Sequence, residues 1–132
     1  MIWSLRLLFA VVLLSMIAVT GWAGAQQALG DFARSATIRD PWVIATLVDA
    51  YWAFIAFYVW VAWKEQSFPA RGLWFIAIIL LGNMAMALYM LVQLSAVPAG
   101  GPLDAVFTRR QPGRLLLPGV LTAIALVICL LA

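Results

Sequence analysis

Residues 42–63 read WVIATLVDAYWAFIAFYVWVAW, a run of 22 residues whose one charge is Asp49. At 1.5 Å per residue it makes a helix of about 31 Å, which matches the hydrocarbon core of a bilayer. Trp42 stands at one end, and Trp60 and Trp63 stand at the other, where membrane spans collect their tryptophans. The run therefore predicts a helix that crosses a membrane.

The composition of the whole chain agrees with that prediction. Of 132 residues, 67% are hydrophobic and 10% are charged, and the mean hydropathy is +1.07. Soluble domains are near half apolar and a quarter charged, so a chain this small has apolar surface that only lipid covers. Cys129 is the single cysteine and histidine is absent, so we expect no metal site and no cofactor. The net charge of +3 is spread over short loops, which favours membrane flanks and not nucleic acid.

Four apolar runs have the length of a membrane span. We expect spans at about 5–25, 42–63, 73–97 and 115–132, an interfacial segment at about 26–40 and a loop at 98–114. Asp40 followed by Pro41 predicts the start of the second helix, because Asp caps free amides and Pro suits the first helical position. A short turn with Pro69 pairs the second and third spans as a tight hairpin. The sequence predicts one all-α domain over 1–132, a polytopic up-down bundle of about four transmembrane helices.

Three features of this arrangement have an alternative interpretation. The first span also resembles a secretory signal that ends in Ala23, Gly24 and Ala25, although we favour an uncleaved helix. Residues 26–40 are also compatible with a plain solvated loop. The orientation stays open, because four spans put three basic residues on one side and five on the other, while the first helix favours the opposite orientation.

Asp49 is the one charged residue inside the second span. An acid at membrane depth costs at least about 2.5 kcal/mol and faces a protein interior or a wet cavity. In an antiparallel hairpin, Asn83 and Tyr89 bracket Asp49 in depth, so we expect a hydrogen bond to one of them. Glu65 lies about 24 Å away along the helix, and we expect it to be a solvated turn residue.

Asp49 has two interpretations, a functional and a structural one. In the functional one it is a general acid or a ligand anchor in an intramembrane pocket. The candidate ligand-binding residues are Trp52, Trp60, Asn83, Met86, Tyr89 and Met90. In the structural one, Asp49, Asn83 and Tyr89 only lock the hairpin together. Lipid headgroups are expected on Arg109, Arg110 and Arg114.

The stretch from Arg39 to Leu94 resembles a family of small, uncharacterised membrane proteins classed as a domain of unknown function. The motifs that carry the resemblance are Arg39-Asp40-Pro41-Trp42, Asp49-Ala50-Tyr51, Trp63-Lys64-Glu65 and Leu81-Gly82-Asn83. The first helix is similar to that family too, whereas the fourth helix resembles an addition to it.

More remotely, the chain resembles compact membrane terpene cyclases and small lycopene-cyclase domains. That resemblance implies Asp49 as the proton donor, with Trp52 and Tyr89 stabilising the cation, and it requires a homodimer.

Two functions from different classes follow from these observations. The leading hypothesis is a binding or assembly subunit of a membrane complex, or a module that binds a lipid or an isoprenoid. The alternative is an isoprenoid-directed membrane enzyme that uses Asp49 as a general acid. The expected partners are the bilayer, membrane proteins or a second copy of the chain, and an isoprenoid or pigment ligand. The expected location is a bacterial inner membrane.

Overall fold

The computed structural model describes residues 1–132, and its regular elements are all helical. In chain order they are α1 (Ile2–Gln26), α2 (Leu29–Arg34), a 3₁₀ turn (Ala36–Arg39), α3 (Pro41–Lys64), α4 (Phe68–Leu81), α5 (Asn83–Ser95), α6 (Asp104–Thr108) and α7 (Leu116–Leu131). The all-α class expected from the sequence is confirmed.

Two of these helices, α1 and α3, are long and apolar enough to cross a membrane. Their 25 and 24 residues give lengths of about 38 and 36 Å. By contrast, α4, α5 and α7 hold 14, 13 and 16 residues, and each is shorter than the roughly 30 Å core of a bilayer. Two candidate spans are thus present, and the expected bundle of four spans is not confirmed.

The start of α3 is fixed by the two residues that the sequence suggested. The Asp40 carboxylate accepts a hydrogen bond of 2.8 Å from the backbone N–H of Trp42, and Pro41 is the first helical residue. The cap satisfies one of the free amides that every helix leaves at its start. The prediction of a helix start at Asp40-Pro41 is confirmed.

The chain folds back at Gly82, so the expectation of one straight helix over residues 73–97 is wrong. Helix α4 runs up to this glycine and α5 returns from it. The ring centroids of Trp74 and Tyr89 lie 4.8 Å apart, whereas fifteen residues of straight helix would separate their Cα atoms by about 22 Å. Helices α4 and α5 are therefore the two arms of a short hairpin.

Gly82 permits this turn for two separate reasons. Its backbone has φ +54° and ψ −127°, a conformation that residues with a Cβ atom rarely adopt. A Cβ atom here would also lie 2.7 Å from Cζ of Phe54 on α3. The run holds no proline or charge near this point, so its hydropathy alone gives no sign of the turn.

One end of the molecule, which we call the Glu65 end, gathers the start of α1 and the ends of α3 and α5. Arg6 on α1 donates to the carbonyls of Leu94 and Val97 at the end of α5. The backbone N–H of Gln111, just before α7, donates to the carbonyl of Lys64 at the end of α3. Six of the eight basic residues belong to this end: Arg6, Lys64, Arg71, Arg109, Arg110 and Arg114.

The opposite end, which we call the Gly30 end, holds α2, the 3₁₀ turn and the start of α3. The carbonyl of Ala132 lies against Gly30, so α7 runs from the Glu65 end toward the Gly30 end. Only Arg34 and Arg39 supply basic charge here. The two chain termini therefore lie at opposite ends of the molecule.

The core is concentrated between α3 and the α4–α5 hairpin. Its largest cluster of buried apolar residues contains Val61, Trp74, Ala77, Ile78, Ala85 and Tyr89. A second cluster, of Ile2, Leu94, Val97 and Val106, joins α1, α5 and α6 at the Glu65 end. Helix α7 packs on α4, where the Thr122 hydroxyl donates to the Leu73 carbonyl at 2.9 Å. Beyond the hairpin, every residue of α1 from Ile17 to Gln26 is exposed.

Gly82→Ala tests whether the turn requires glycine. We expect it to lower the free energy of unfolding by about 1–3 kcal/mol, because alanine is strained at this φ and its Cβ meets Phe54. The measurement is a denaturant titration in detergent, and the matched control is Gly72→Ala on α4. A Cβ at Gly72 meets nothing within 4 Å, so that variant should gain roughly 0.5–1 kcal/mol. Equal stability of the two variants would contradict the conclusion that the turn requires glycine.

Candidate functional site

Glu65 is buried, which corrects the expectation of a solvated turn residue. Only 3% of its surface is exposed, and the Tyr89 hydroxyl donates to Glu65 Oε1 at 3.0 Å. The α4–α5 hairpin is the cause, because it returns Tyr89 to the end of α3 from which α4 departs. One straight helix over residues 73–97, as expected from the sequence, would have placed Tyr89 near the opposite membrane face.

Lys64, the neighbour of Glu65, is also fully buried. Its ammonium group donates to the Val106 carbonyl of α6 and lies 5.0 Å from the ring centroid of Trp60. The indole N–H of Trp60 in turn donates to the Phe107 carbonyl at 3.2 Å. A buried ammonium needs such partners, since an unpaired charge away from water is costly. These contacts tie α6 to the end of α3.

A second set of hydrogen bonds joins the segment before α7 to the end of α3. Gln111 donates through Nε2 to Gln93 Oε1 at 2.8 Å, and the backbone of Gln111 pairs with that of residues 64–66. Arg71 Nε donates to the Glu65 carbonyl at 2.8 Å. We call the group Lys64, Glu65, Tyr89, Gln93 and Gln111 the Glu65 junction. It joins α3, α5, α6 and the approach to α7.

Burial raises the pKa of the Glu65 carboxyl. The hydrogen bond from Tyr89 and the positive charges of Lys64 and Arg71 act in the opposite direction and offset part of that effect. The folded chain therefore holds the Glu65 proton more tightly than the unfolded chain does.

A cavity of about 440 Å³ opens between α1, α3 and α5. Its lining is almost wholly apolar, with Asn83 as the one polar side chain. The lining residues are Leu5, Phe9 and Val12 on α1, Phe57 and Trp60 on α3, Asn83, Met86, Ala87 and Met90 on α5, and Phe107 on α6. Such a cavity suits an apolar chain and offers few groups for polar recognition.

Four of the six predicted ligand-binding residues line this cavity, namely Trp60, Asn83, Met86 and Met90. Tyr89 is fully buried and turns its hydroxyl to Glu65, so it does not line the cavity. Trp52 is 65% exposed and lines a separate hollow of about 220 Å³ with Leu47, Val48, Tyr51 and Ile55. Most of the predicted pocket residues thus line one cavity, whereas the aromatic residues Trp52 and Tyr89 lie outside it.

Asp49 is exposed and does not line the cavity. The expected hydrogen bond to Tyr89 is wrong, because that hydroxyl is bonded to Glu65 about 24 Å farther along α3. The expected bond to Asn83 is absent too. Since α5 returns toward the Glu65 end, no part of it descends beside the part of α3 that carries Asp49. The structure therefore does not assemble an Asp49, Asn83 and Tyr89 cluster.

The α1 side of the cavity was missed by the sequence analysis. Leu5, Phe9 and Val12 follow one another at helical spacing, so they lie on one face of α1. This spacing does not single out one face, because α1 is apolar all round, and only the packing of α1 on α5 shows which face is covered.

The three arginines predicted to meet headgroups all lie at the Glu65 end. Arg109 Nη1 donates to the Ala96 carbonyl at 2.8 Å, and the Arg110 guanidinium lies 4.9 Å from the ring centroid of Trp63. Arg114 is exposed. Arg6 joins them through its bonds to the end of α5.

Glu65→Gln tests the buried carboxyl through the pH dependence of stability. The pKa of Glu65 in the folded chain lies above about 4.3, the value in the unfolded chain. Glu65 therefore contributes less to the free energy of unfolding as the pH rises above that value. Glutamine does not titrate and still accepts a hydrogen bond from Tyr89. We therefore expect the variant to gain stability relative to the parent between about pH 4 and pH 8.

The measurement is a denaturant titration of both chains at several pH values across that range. Asp104→Asn removes an exposed carboxyl from the same end and is the matched control. A constant difference between Glu65→Gln and the parent at every pH would show that the carboxyl is not desolvated.

Comparison with known proteins adds one finding to this geometry. The family described as "Protein of unknown function (DUF1475)" matches residues 1–111, which leaves α7 outside the match. No curated protein and no solved structure matches the chain, and neither comparison supports the remote resemblance to terpene cyclases. The chain therefore belongs to the DUF1475 family of proteins of unknown function.

Proposed function

We propose that the chain is a multi-pass protein of a bacterial inner membrane that binds the apolar chain of a lipid or an isoprenoid. The cavity between α1, α3 and α5 is the observation that carries this proposal. Its volume of about 440 Å³ falls in the range of small-molecule sites, and its walls are apolar and aromatic. Binding, and not catalysis, is what such a lining supports.

The shape of the cavity favours a chain aligned with the bilayer lipids. Along α1 the lining runs from Leu5 to Val12, and along α5 it runs from Met90 to Asn83. Each of these distances is about 10 Å along its helix. A ligand there would lie parallel to the helices and start near the Glu65 end.

In the proposed membrane arrangement, α1 and α3 are full spans and α7 is a third, shorter crossing. The α4–α5 hairpin enters from the Glu65 end and returns to it. Non-helical backbone at membrane depth is tolerated where protein covers it, and Gly82 at the turn is buried. With six basic residues at the Glu65 end and two at the other, the Glu65 end faces the cytoplasm.

A role as an assembly subunit is compatible with this arrangement, and one observation favours it. Asp49 is exposed on α3 within a helix that is apolar enough to cross a membrane. Since an acid facing lipid costs at least about 2.5 kcal/mol, a hydrogen-bonding partner helix over Asp49 would remove that cost.

The alternative of an isoprenoid-directed enzyme needs Asp49 to reach a bound alkene. No observed contact supports that reach, because Asp49 is absent from the lining of the cavity. A general acid must come within hydrogen-bond distance of the atom that it protonates. We therefore propose binding as the function, and we assign Asp49 to contacts with a partner helix.

Val12→Trp tests the cavity by filling it. We expect the variant to lose about tenfold in affinity, because displacing two methylene groups from an apolar site costs roughly 1.6 kcal/mol. The measurement is retention of pyrene-labelled phosphatidylcholine by the purified chain in detergent, with displacement by the unlabelled lipid or by geranylgeraniol.

Val11→Trp is the matched control, since Val11 is exposed and is the neighbouring residue on α1. It should bind like the parent, and so should Asp49→Asn. Saturable binding that survives Val12→Trp unchanged would refute the cavity as the site. Conversion of geranylgeraniol that Asp49→Asn abolishes would support the enzyme instead.

A further inference from the structure

Three of the four helices that line the cavity, α1, α3 and α6, have a basic residue close by at the Glu65 end. On α1, Arg6 comes directly after Leu5, and on α3, Lys64 lies one helical turn beyond Trp60. After α6, Arg109 comes two residues beyond Phe107. An apolar chain that lay in the cavity would thus have its head among positive charges.

Two of these cations converge on the end of α5. Arg6 Nη2 donates to the carbonyls of Leu94 and Val97 at 2.9 and 2.8 Å, and Arg109 Nη1 donates to the carbonyl of Ala96 at 2.8 Å. The C-terminus of a helix carries about half a negative charge, whereas the two guanidinium groups carry two positive charges. Their mutual repulsion is therefore only partly offset.

The Arg6–Arg109 pair also has donors to spare. Arg6 donates only through Nη2 and Arg109 only through Nη1, so each guanidinium keeps further N–H groups without a partner. One of them, the buried Nε of Arg6, is unusual because buried polar groups are nearly always paired. Lys64 is already bonded to the Val106 carbonyl and has no exposed surface, so it adds charge and makes no contact with a ligand. The acids of this end do not supply the missing partner, since Glu65 is held by Tyr89 and Asp104 is exposed on α6.

We infer that the ligand of the cavity is an anionic lipid whose phosphate binds to the Arg6–Arg109 pair while its apolar chain fills the cavity. This inference rests on the proposed function. Met90 in the cavity wall and Ala96 beneath Arg109 are about 9 Å apart along α5, so a single molecule reaches both. Guanidinium groups suit phosphate because they donate two parallel hydrogen bonds to its oxygens. A phospholipid and a prenyl phosphate share this chemistry.

The test compares anionic and neutral probes of matched chains on the full-length protein in detergent. One pair is phosphatidylglycerol and diacylglycerol with identical acyl chains, and the other is geranylgeranyl phosphate and geranylgeraniol. We expect the phosphate-bearing anionic member of at least one pair to bind about fivefold more tightly, the factor that one arginine near an anionic headgroup provides. Added salt should narrow the difference.

Arg109→Gln should abolish that preference and leave binding of the neutral probes unchanged. Arg109 is exposed and its side chain makes a single hydrogen bond, to the Ala96 carbonyl, so the variant should fold. Arg34→Gln removes an exposed basic residue from the Gly30 end and is the matched control, which should keep the preference. The pair of probes that shows the Arg109-dependent preference identifies the source of the phosphate.

Equal affinity for anionic and neutral probes, with Val12→Trp still weakening both, would overturn this inference and leave the proposed function standing. A preference for the anionic probes that survives Arg109→Gln would also overturn it. If Val12→Trp changes the binding of no probe, the proposed function itself fails.

Discussion

A glycine with a backbone φ of +54°, packed against the ring of Phe54, turns the chain between α4 and α5. The turn sends α5 back along α4, so that Tyr89 meets both Trp74 and Glu65. Without it, the apolar run would continue as a straight helix away from the end of α3. The buried Glu65 junction, the position of α6 and the packing of α1 on α5 all depend on this reversal.

The reversal also decides where the charges lie. A straight third helix would carry the arginines after α5 to the far side of the molecule, whereas the hairpin returns them to the Glu65 end beside Arg6 and Lys64. The same geometry places α5 against α1 and opens the apolar cavity between them and α3. Apolar walls and a cationic end therefore have one cause, and together they suggest a lipid with a negatively charged head.

Much of the fold could be predicted from the sequence. The apolar runs and the Asp40-Pro41 start gave α1, α3 and α7 close to their true bounds, because length and capping are local properties. Gly82 stood out as part of the Leu81-Gly82-Asn83 motif, and its backbone conformation was not predicted. Hydropathy carries no information on the backbone angle φ, so an apolar run without proline was interpreted as a single helix.

The error at Gly82 explains the errors at the site. It placed Tyr89 near Asp49, although Tyr89 lies beside Glu65, and it made Glu65 a surface residue although it is buried. Trp60, Met86 and Met90 of the predicted pocket do line the cavity, because α3 and α5 form two of its walls. The α1 side of the cavity could not be predicted, because a helix that is apolar all round does not indicate which face it buries.

The most direct test of the reversal at Gly82 is the labelling of single cysteines in intact spheroplasts with a maleimide that does not cross membranes. In a Cys129→Ser background, Ala33→Cys reports on the segment after α1, and Gly100→Cys reports on the segment after α5; both positions are exposed. The hairpin predicts that Ala33→Cys is labelled at once and that Gly100→Cys is labelled only after the membrane is permeabilised. Labelling of both positions from the same side would mean that residues 73–97 cross the membrane, which would contradict the account.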